Sequence, residues 1–171
     1  MRQYYDDAGV QILEDPDQYS TDFGKAIKQI LKHQPSTCDV LVLGTIAGRL
    51  DQGIGLLSEF YREQHKKQSA DHPGIRLWLF SESSISFILN PGKTVIHTPL
   101  SEGLITQNIG ILPVYGPAHI TTKGLEWDVE DWPTQMGGQV STSNHIFQDQ
   151  VIISTDTEVL FTVERNMKVS G

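Results

Sequence analysis

The first half of the chain alternates between short apolar runs and apolar residues at helical spacing. Val10, Ile12 and Leu13 make Gly9 to Leu13 a candidate strand, closed by the polar run Glu14-Asp15-Pro16-Asp17-Gln18. Tyr19-Ser20-Thr21-Asp22 supplies helix starters, and Phe23, Ala26, Ile27, Ile30 and Leu31 share one helical face that stops near His33, before Pro35. Asp39 to Gly44, built on Val40-Leu41-Val42-Leu43, reads as a buried strand. Ile54, Leu57, Phe60 and Tyr61 mark a second helical face from Asp51 onward. The polar tail Arg62 to His72 ends it, Pro73-Gly74 makes a turn, and Ile75 to Phe80 is the next strand. Strand, helix, strand, helix, strand is the order of a parallel sheet covered by helices.

From Ser83 to Asn90 the character changes, and after Pro91-Gly92 no helical period returns. Short β-rich pieces follow at Thr94 to Thr98, Ile109 to Val114, Ala118 to Thr122 and Leu125 to Val129. Three more lie at Gln139 to Ser143, Val151 to Ser154 and Val159 to Val163, with turn residues in most gaps. Such spacing predicts an antiparallel sandwich or barrel. The expected fold is therefore α/β, a mostly parallel sheet with flanking helices over residues 1–83, followed by an all-β sandwich over residues 84–171.

Composition narrows the function. The 38% hydrophobic and 20% charged fractions belong to an ordinary soluble globular protein. A net charge of −8 argues against nonspecific affinity for nucleic acid or anionic membrane. The single Cys38 cannot close an intramolecular disulfide, and no signal peptide or bilayer-length apolar run stands out, so a cytoplasmic location is expected. Walker-type, dinucleotide-binding, nucleophile-elbow and zinc-ligand spacings are all missing from the sequence.

Candidate chemistry gathers at Gly44 to Gln52, where a strand hands over to a helix, the place where open α/β sheets bind ligands. The Arg49 guanidinium suits phosphate oxygens, and Asp51 two residues on suits Mg²⁺ or a hydroxyl. Asp51 reads equally as a helix cap with Arg49 in solvent. Asp22, with Gln18 and Thr21 beside it, repeats the pattern at the preceding junction, and adjacent junctions would place two carboxylates at one edge of the sheet. Val140-Ser141-Thr142-Ser143-Asn144 offers hydroxyls and an amide to a heterocycle, or is a plain turn. Trp127, Trp132 and Phe161 either stack on a ligand or fill the sandwich core.

Ala47-Gly48-Arg49-Leu50-Asp51-Gln52 resembles the Gly-Arg-x-Asp-Gln signature of thiamine pyrophosphokinases, in their eukaryotic, fungal form. The resemblance extends through Pro16-Asp17-Gln18, Thr21-Asp22-Phe23, Asn90-Pro91-Gly92-Lys93, Gly124-Leu125-Glu126-Trp127 and Val140 to Asn144, in the family's order. It implies a catalytic α/β domain followed by a thiamine-binding β-sandwich, in a homodimer whose active site lies between the two subunits. The implied reaction moves a pyrophosphoryl group from ATP to the thiamine hydroxyl with Mg²⁺, giving thiamine diphosphate and AMP. By position, Asp22 and Asp51 would bind the metal–polyphosphate or steer the hydroxyl, Arg49 would neutralise phosphate charge, and Gln18, Thr21 and Gln52 would shape that pocket. Ser141, Ser143 and Asn144 would hold the aminopyrimidine, and Phe161 would pack on thiamine.

The family pattern has glycine where Thr45 stands, and its opening βα units, with an Asp-x-Asp-Ser type motif, precede the position where this chain starts. The expectation from the sequence is a shortened member with weak or no turnover, or a thiamine-binding, dimerising remnant. AMP release from ATP, Mg²⁺ and thiamine at near-normal rates would overturn it.

Overall fold

Thr21 and the stripe behind it make helix α2 (Asp22–His33) where the pattern places it. Thr21 is extended at the N-cap, and its hydroxyl accepts the Gly24 N–H at 3.1 Å. The computed structural model describes residues 2–34, 36–44, 46, 48–66 and 74–167. A short helix, α1 (Arg2–Asp7), opens the described chain. The expected strand at Gly9 to Leu13 is irregular, with Val10 and Leu13 exposed. Its first amides turn back onto α1, Gly9 N–H to the Asp6 carbonyl at 3.0 Å and Val10 N–H to the Tyr5 carbonyl at 2.9 Å, instead of entering a ladder.

Strands β1 (Cys38–Leu43) and β2 (Ile75–Phe80) pair in parallel along their whole length, from Cys38 opposite Ile75 to Leu43 opposite Phe80. Between them in sequence lies α3 (Leu50–Gln64). Val40, Leu77 and Leu79 face the helices and pack with Ile27, Leu31 and Phe60 in one apolar cluster. The strand over Asp39 to Gly44 is buried on that face only: Leu41 is 60% and Leu43 84% exposed on the other. Ile54 also turns outward; α3 instead buries Gly53, Phe60 and Glu63. The polar tail beyond Lys66, the turn residue Pro73, and Pro35 lie outside the described residues.

Strand β3 (Ser84–Leu89) turns back antiparallel on β2, with Leu79 opposite Ser86. It lies where no strand was expected, although its apolar residues Ile85, Phe87 and Ile88 are frequent enough to have signalled one. The remaining strands are β4 (Gly92–His97), β5 (Ile105–Leu112), β6 (Ala118–Lys123), β7 (Trp132–Thr134), β8 (Ser141–His145), β9 (Gln150–Thr155) and β10 (Val159–Arg165). Leu125 to Val129 is a turn with one bridge, Leu125 to Ile146, rather than a strand.

Two sheets result: a six-stranded mixed sheet in the order β1-β2-β3-β10-β5-β8 and a four-stranded antiparallel sheet β4-β9-β6-β7. The second apolar cluster lies between them and holds Ile109, Ile111, Ile120, Val151, Ile153 and Phe161. Strand β10 serves both clusters, sending Leu160 to the helices and Val159, Phe161 and Val163 to the second sheet. A strand covered on both faces reads as a continuous apolar run, which is how Val159 to Val163 appears in the sequence. An α/β portion and a β-sandwich are thus built around one shared sheet.

Candidate functional site

The strand-to-helix loop keeps its shape through two glycines. Gly48 has φ +91°, a conformation that costs other residues energy. At Gly53 a methyl group would stand 2.7 Å from the Ile46 carbonyl oxygen, so the bare backbone lets the loop lie against the first turn of α3. Arg49 occupies the N-cap of α3 without a side-chain capping bond. Its guanidinium instead grips the Asp51 carboxylate, Nε donating to Oδ1 at 3.1 Å and Nη2 to Oδ2 at 2.5 Å. The guanidinium holds the Asp51 carboxyl below the ordinary carboxylate range, and the carboxylate in turn raises Arg49. Both side chains are well exposed, so this fork is open to a phosphate-bearing ligand at little desolvation cost. The Gln52 N–H donates to the Arg49 carbonyl, and Gln52 is exposed beside the pair. Thr45 and Ala47 lie outside the described residues.

Asp22 is not beside Asp51. The Thr21 hydroxyl donates to Glu59 Oε2 at 2.5 Å, and Gly24 lies against the side chains of Glu63 and Arg62. The start of α2 is therefore seated on the second half of α3. Glu59 stands eight residues beyond Asp51, about 12 Å along the axis at 1.5 Å per residue. The expectation that two adjacent strand-to-helix junctions bring both carboxylates together fails because, among the described residues, no strand precedes α2. Gln18 is exposed, its amide donating to the nearby Pro16 carbonyl at 3.4 Å. Among the described residues no three His, Cys, Asp or Glu side chains gather to hold a metal. Asp22 and Asp51 do not fit one Mg²⁺ in this arrangement.

A second candidate site lies in the sandwich, where the β5–β8 edge of the large sheet meets β6 and β7 of the small one. A cavity of about 280 Å³ opens there, lined by Ile111, Ile120, Thr122, Trp127, Val129, Trp132 and Val140 to Asn144. A β-bulge shapes it: Ile109 pairs with Asn144 but Ile111 pairs with Ser141, so β8 carries an extra residue across this stretch. Ser141 is half-buried and Ser143 exposed, both on the lining. Trp127 stands 55% exposed at the mouth, and Trp132 is partly buried.

Trp127 owes its place to a hydrogen-bonded turn. Asp128 accepts from the Thr122 hydroxyl at 3.0 Å and from the N–H groups of Gly124 and Leu125 at 3.0 and 3.1 Å. Gly124 has φ +100°, and a methyl group on it would meet the Gln150 carbonyl oxygen at 2.7 Å. The sequence reading places Asp128 inside a strand over Leu125 to Val129, although aspartate is one of the residues that dominate turns.

Phe161 corrects the expectation that it packs on thiamine. It is 0% exposed, lies between the sheets, and sets its ring 5.2 Å from that of Phe87, tilted by 45°. Its place on β10, covered on both faces, leaves no side open to a ligand. Asn144 is also committed inward: 6% exposed, with its amide bonded to the backbone of Trp127 and His145.

Two family models match the chain on these two regions. Residues 1–70 match "Thiamin pyrophosphokinase, catalytic domain", which contains the Arg49–Asp51 fork. Residues 93–160 match "Thiamin pyrophosphokinase, vitamin B1 binding domain", which contains the sandwich cavity. The chain belongs to the thiamin pyrophosphokinase family.

Thiamine pyrophosphokinase 1 of Oryza sativa subsp. japonica is 29% identical over 170 residues, 95% of this chain and 60% of its own length. Thiamine pyrophosphokinase of Saccharomyces cerevisiae is 31% identical over 130 residues, 73% of this chain and 39% of its own. The chain thus spans about 60% of the length of the rice relative it matches. The crystal structure of yeast thiamin pyrophosphokinase superposes with a TM-score of 0.83 at 24% identity, covering 96% of this chain and 65% of that one. Thiamin pyrophosphokinase from Candida albicans gives 0.81 at 22% identity, covering 96% and 69%. These two share the fold of the family member described here. Among the described residues no helix is long and apolar enough to cross a membrane.

Proposed function

We propose that this family member transfers a pyrophosphoryl group from ATP to the primary hydroxyl of thiamine, giving thiamine diphosphate and AMP. The observation that carries the reading is the sandwich cavity, whose tryptophan and serine lining falls within the stretch matching the vitamin B1 binding model. Thiamine presents a cationic thiazolium and an aminopyrimidine. Indole faces suit the first, and the hydroxyls of Ser141 and Ser143 suit the second. Phosphoryl chemistry needs positioned cations more than a covalent group. The exposed Arg49 fork supplies one, and Gln18, Thr21 and Gln52 belong to the ATP side of the same proposal.

The working division is a catalytic part over residues 1–83 and a thiamine-binding part over residues 84–171. The proposed assembly is a cytoplasmic homodimer whose site is shared between subunits, with ATP accompanied by Mg²⁺. With Asp51 in the first turn of α3 and the Asp22 end of α2 seated on its second half, no step is assigned to the metal. That separation also favours a second reading, a protein that binds thiamine and dimerises without turnover. Calorimetry with thiamine, run beside an AMP-release assay with ATP and Mg²⁺, distinguishes them. Binding without AMP supports the second reading, and no thiamine binding at all sinks both.

Two results are expected at the fork. Asp51→Asn lowers kcat by about 100-fold, the scale seen when one preorganised electrostatic group is removed. Thermal unfolding hardly changes, because Arg49 and not Asp51 holds the cap position of α3. An equal loss of stability and activity would return Asp51 to a structural role.

The second result concerns pH. Because Arg49 lowers the folded-state value of Asp51, the pair is intact above the ordinary carboxylate value and is lost as pH falls through the lower folded value. An NMR titration of the Asp51 carboxyl carbon should show a midpoint below 3.8, moving back up in Arg49→Gln. Titration at the ordinary value in both proteins would remove the pair from solution.

A further inference from the structure

Trp127 stands at the mouth of the cavity on a turn, and what holds it comes from β8. The Trp127 N–H donates to Asn144 Oδ1 at 3.1 Å, and Asn144 Nδ2 donates back to the Trp127 carbonyl at 2.8 Å. The His145 N–H donates to the same Oδ1 at 2.8 Å, so the amide oxygen is fully used. One side chain here copies a rung of a β-ladder. The neighbouring bonds extend it: Glu126 N–H to the His145 carbonyl at 2.8 Å, and the bridge between Leu125 and Ile146. Behind the indole lies the His145 ring, with centroids 5.4 Å apart, and its Nδ1 is hydrogen-bonded to the Glu126 carboxylate.

We propose that Asn144 is a positioning residue that acts through Trp127, fixing the aromatic wall of the cavity, and is not itself a contact for the ligand. The Glu126–His145 pair braces the indole from behind. The thiamine part of this assignment rests on the reading of the cavity above; the positioning part rests on the hydrogen bonds alone. Alanine at 144 removes all three bonds. Aspartate keeps both acceptor bonds but sets a carboxylate oxygen against the Trp127 carbonyl, which is repulsive.

The test follows the indole N–H resonances of the three tryptophans by NMR, with Trp127 assigned through its loss in Trp127→Phe. The wild-type Trp127 signal should report an ordered side chain, and Asn144→Ala should shift it and lower its heteronuclear NOE. Asn144→Asp, the milder change, serves the same purpose if the alanine variant does not fold. In calorimetry both variants should bind thiamine about tenfold more weakly, the loss expected for about one net hydrogen bond. An unmoved, equally ordered Trp127 in both variants overturns the assignment, as does thiamine affinity equal to wild type. If the indole loosens while wild-type protein binds no thiamine, the positioning role stands and the thiamine reading falls.

Discussion

Phe161→Ala should unfold much of the protein's stability while telling nothing directly about its ligand. The ring is 0% exposed and packs against Phe87 in the core between the sheets. Removing a buried phenylalanine costs about 3–5 kcal/mol, part lost transfer energy and part cavity. For a domain of this size that corresponds to a fall in Tm of roughly 10 °C. Urea unfolding measures it directly. Phe161→Leu keeps most of the volume and should cost far less, leaving a folded protein in which the sandwich cavity can be examined.

In that leucine variant thiamine affinity should match wild type within about twofold, well under the 1.4 kcal/mol of a tenfold change. The cavity is lined by Trp127, Trp132 and the residues of β8, and Phe161 is not among them. A large loss of affinity in a fully folded Phe161→Leu protein would restore the aromatic contact that the family resemblance implied. A small stability loss in Phe161→Ala would mean that the two sheets are not packed as described.

Much of the fold could be read from periodicity because burial imposes it. The stripe Phe23, Ala26, Ile27, Ile30, Leu31 became α2, and the run Ile75 to Phe80 became β2. What periodicity could not tell was which faces find partners. Leu41 and Leu43 look as buried as Val40 and Val42 in the sequence, yet it is Val40 and Val42 that pack on the helix side. Gly9 to Leu13 has strand composition, and among the described residues no strand pairs with it.

The candidate site divides the same way. Local chemistry was legible: Arg49 and Asp51 are two residues apart and do form an ion pair. Long-range placement was not. Asp22 and Asp51 were expected together from the order of elements, but the Thr21–Glu59 bond sets the start of α2 well along α3. Asn144 is legible as a polar group of the cavity wall, but its bonds to the backbone of Trp127 and His145 are not. Its partner lies 17 residues away on a turn that had looked like a strand. Motifs mark which residues matter more readily than they say what each one touches.

Gly124→Ala carries the second large effect, and it reaches the cavity. Two costs add at this position. The backbone sits at φ +100°, outside the range that side chains tolerate, and the new methyl would stand 2.7 Å from the Gln150 carbonyl on β9. The first is worth about 1–2 kcal/mol and the second about 1–3 kcal/mol, because backbone rather than a flexible side chain must move. Gly103→Ala is the control, since Gly103 also has positive φ (+68°) but open space around its Cβ position. The control should therefore lose only the first amount, and the difference between the two midpoints in urea isolates the close approach. The Gly124 N–H also donates to Asp128, and its carbonyl accepts the Phe147 N–H at 3.2 Å, so displacing residue 124 pulls on the turn that carries Trp127. Thiamine binding should weaken in Gly124→Ala even at temperatures where the protein is fully folded, and stay unchanged in Gly103→Ala. Equal destabilisation in the two variants would show that β9 is not pressed against this glycine, and that the conformation of Gly124 alone explains its place in the motif.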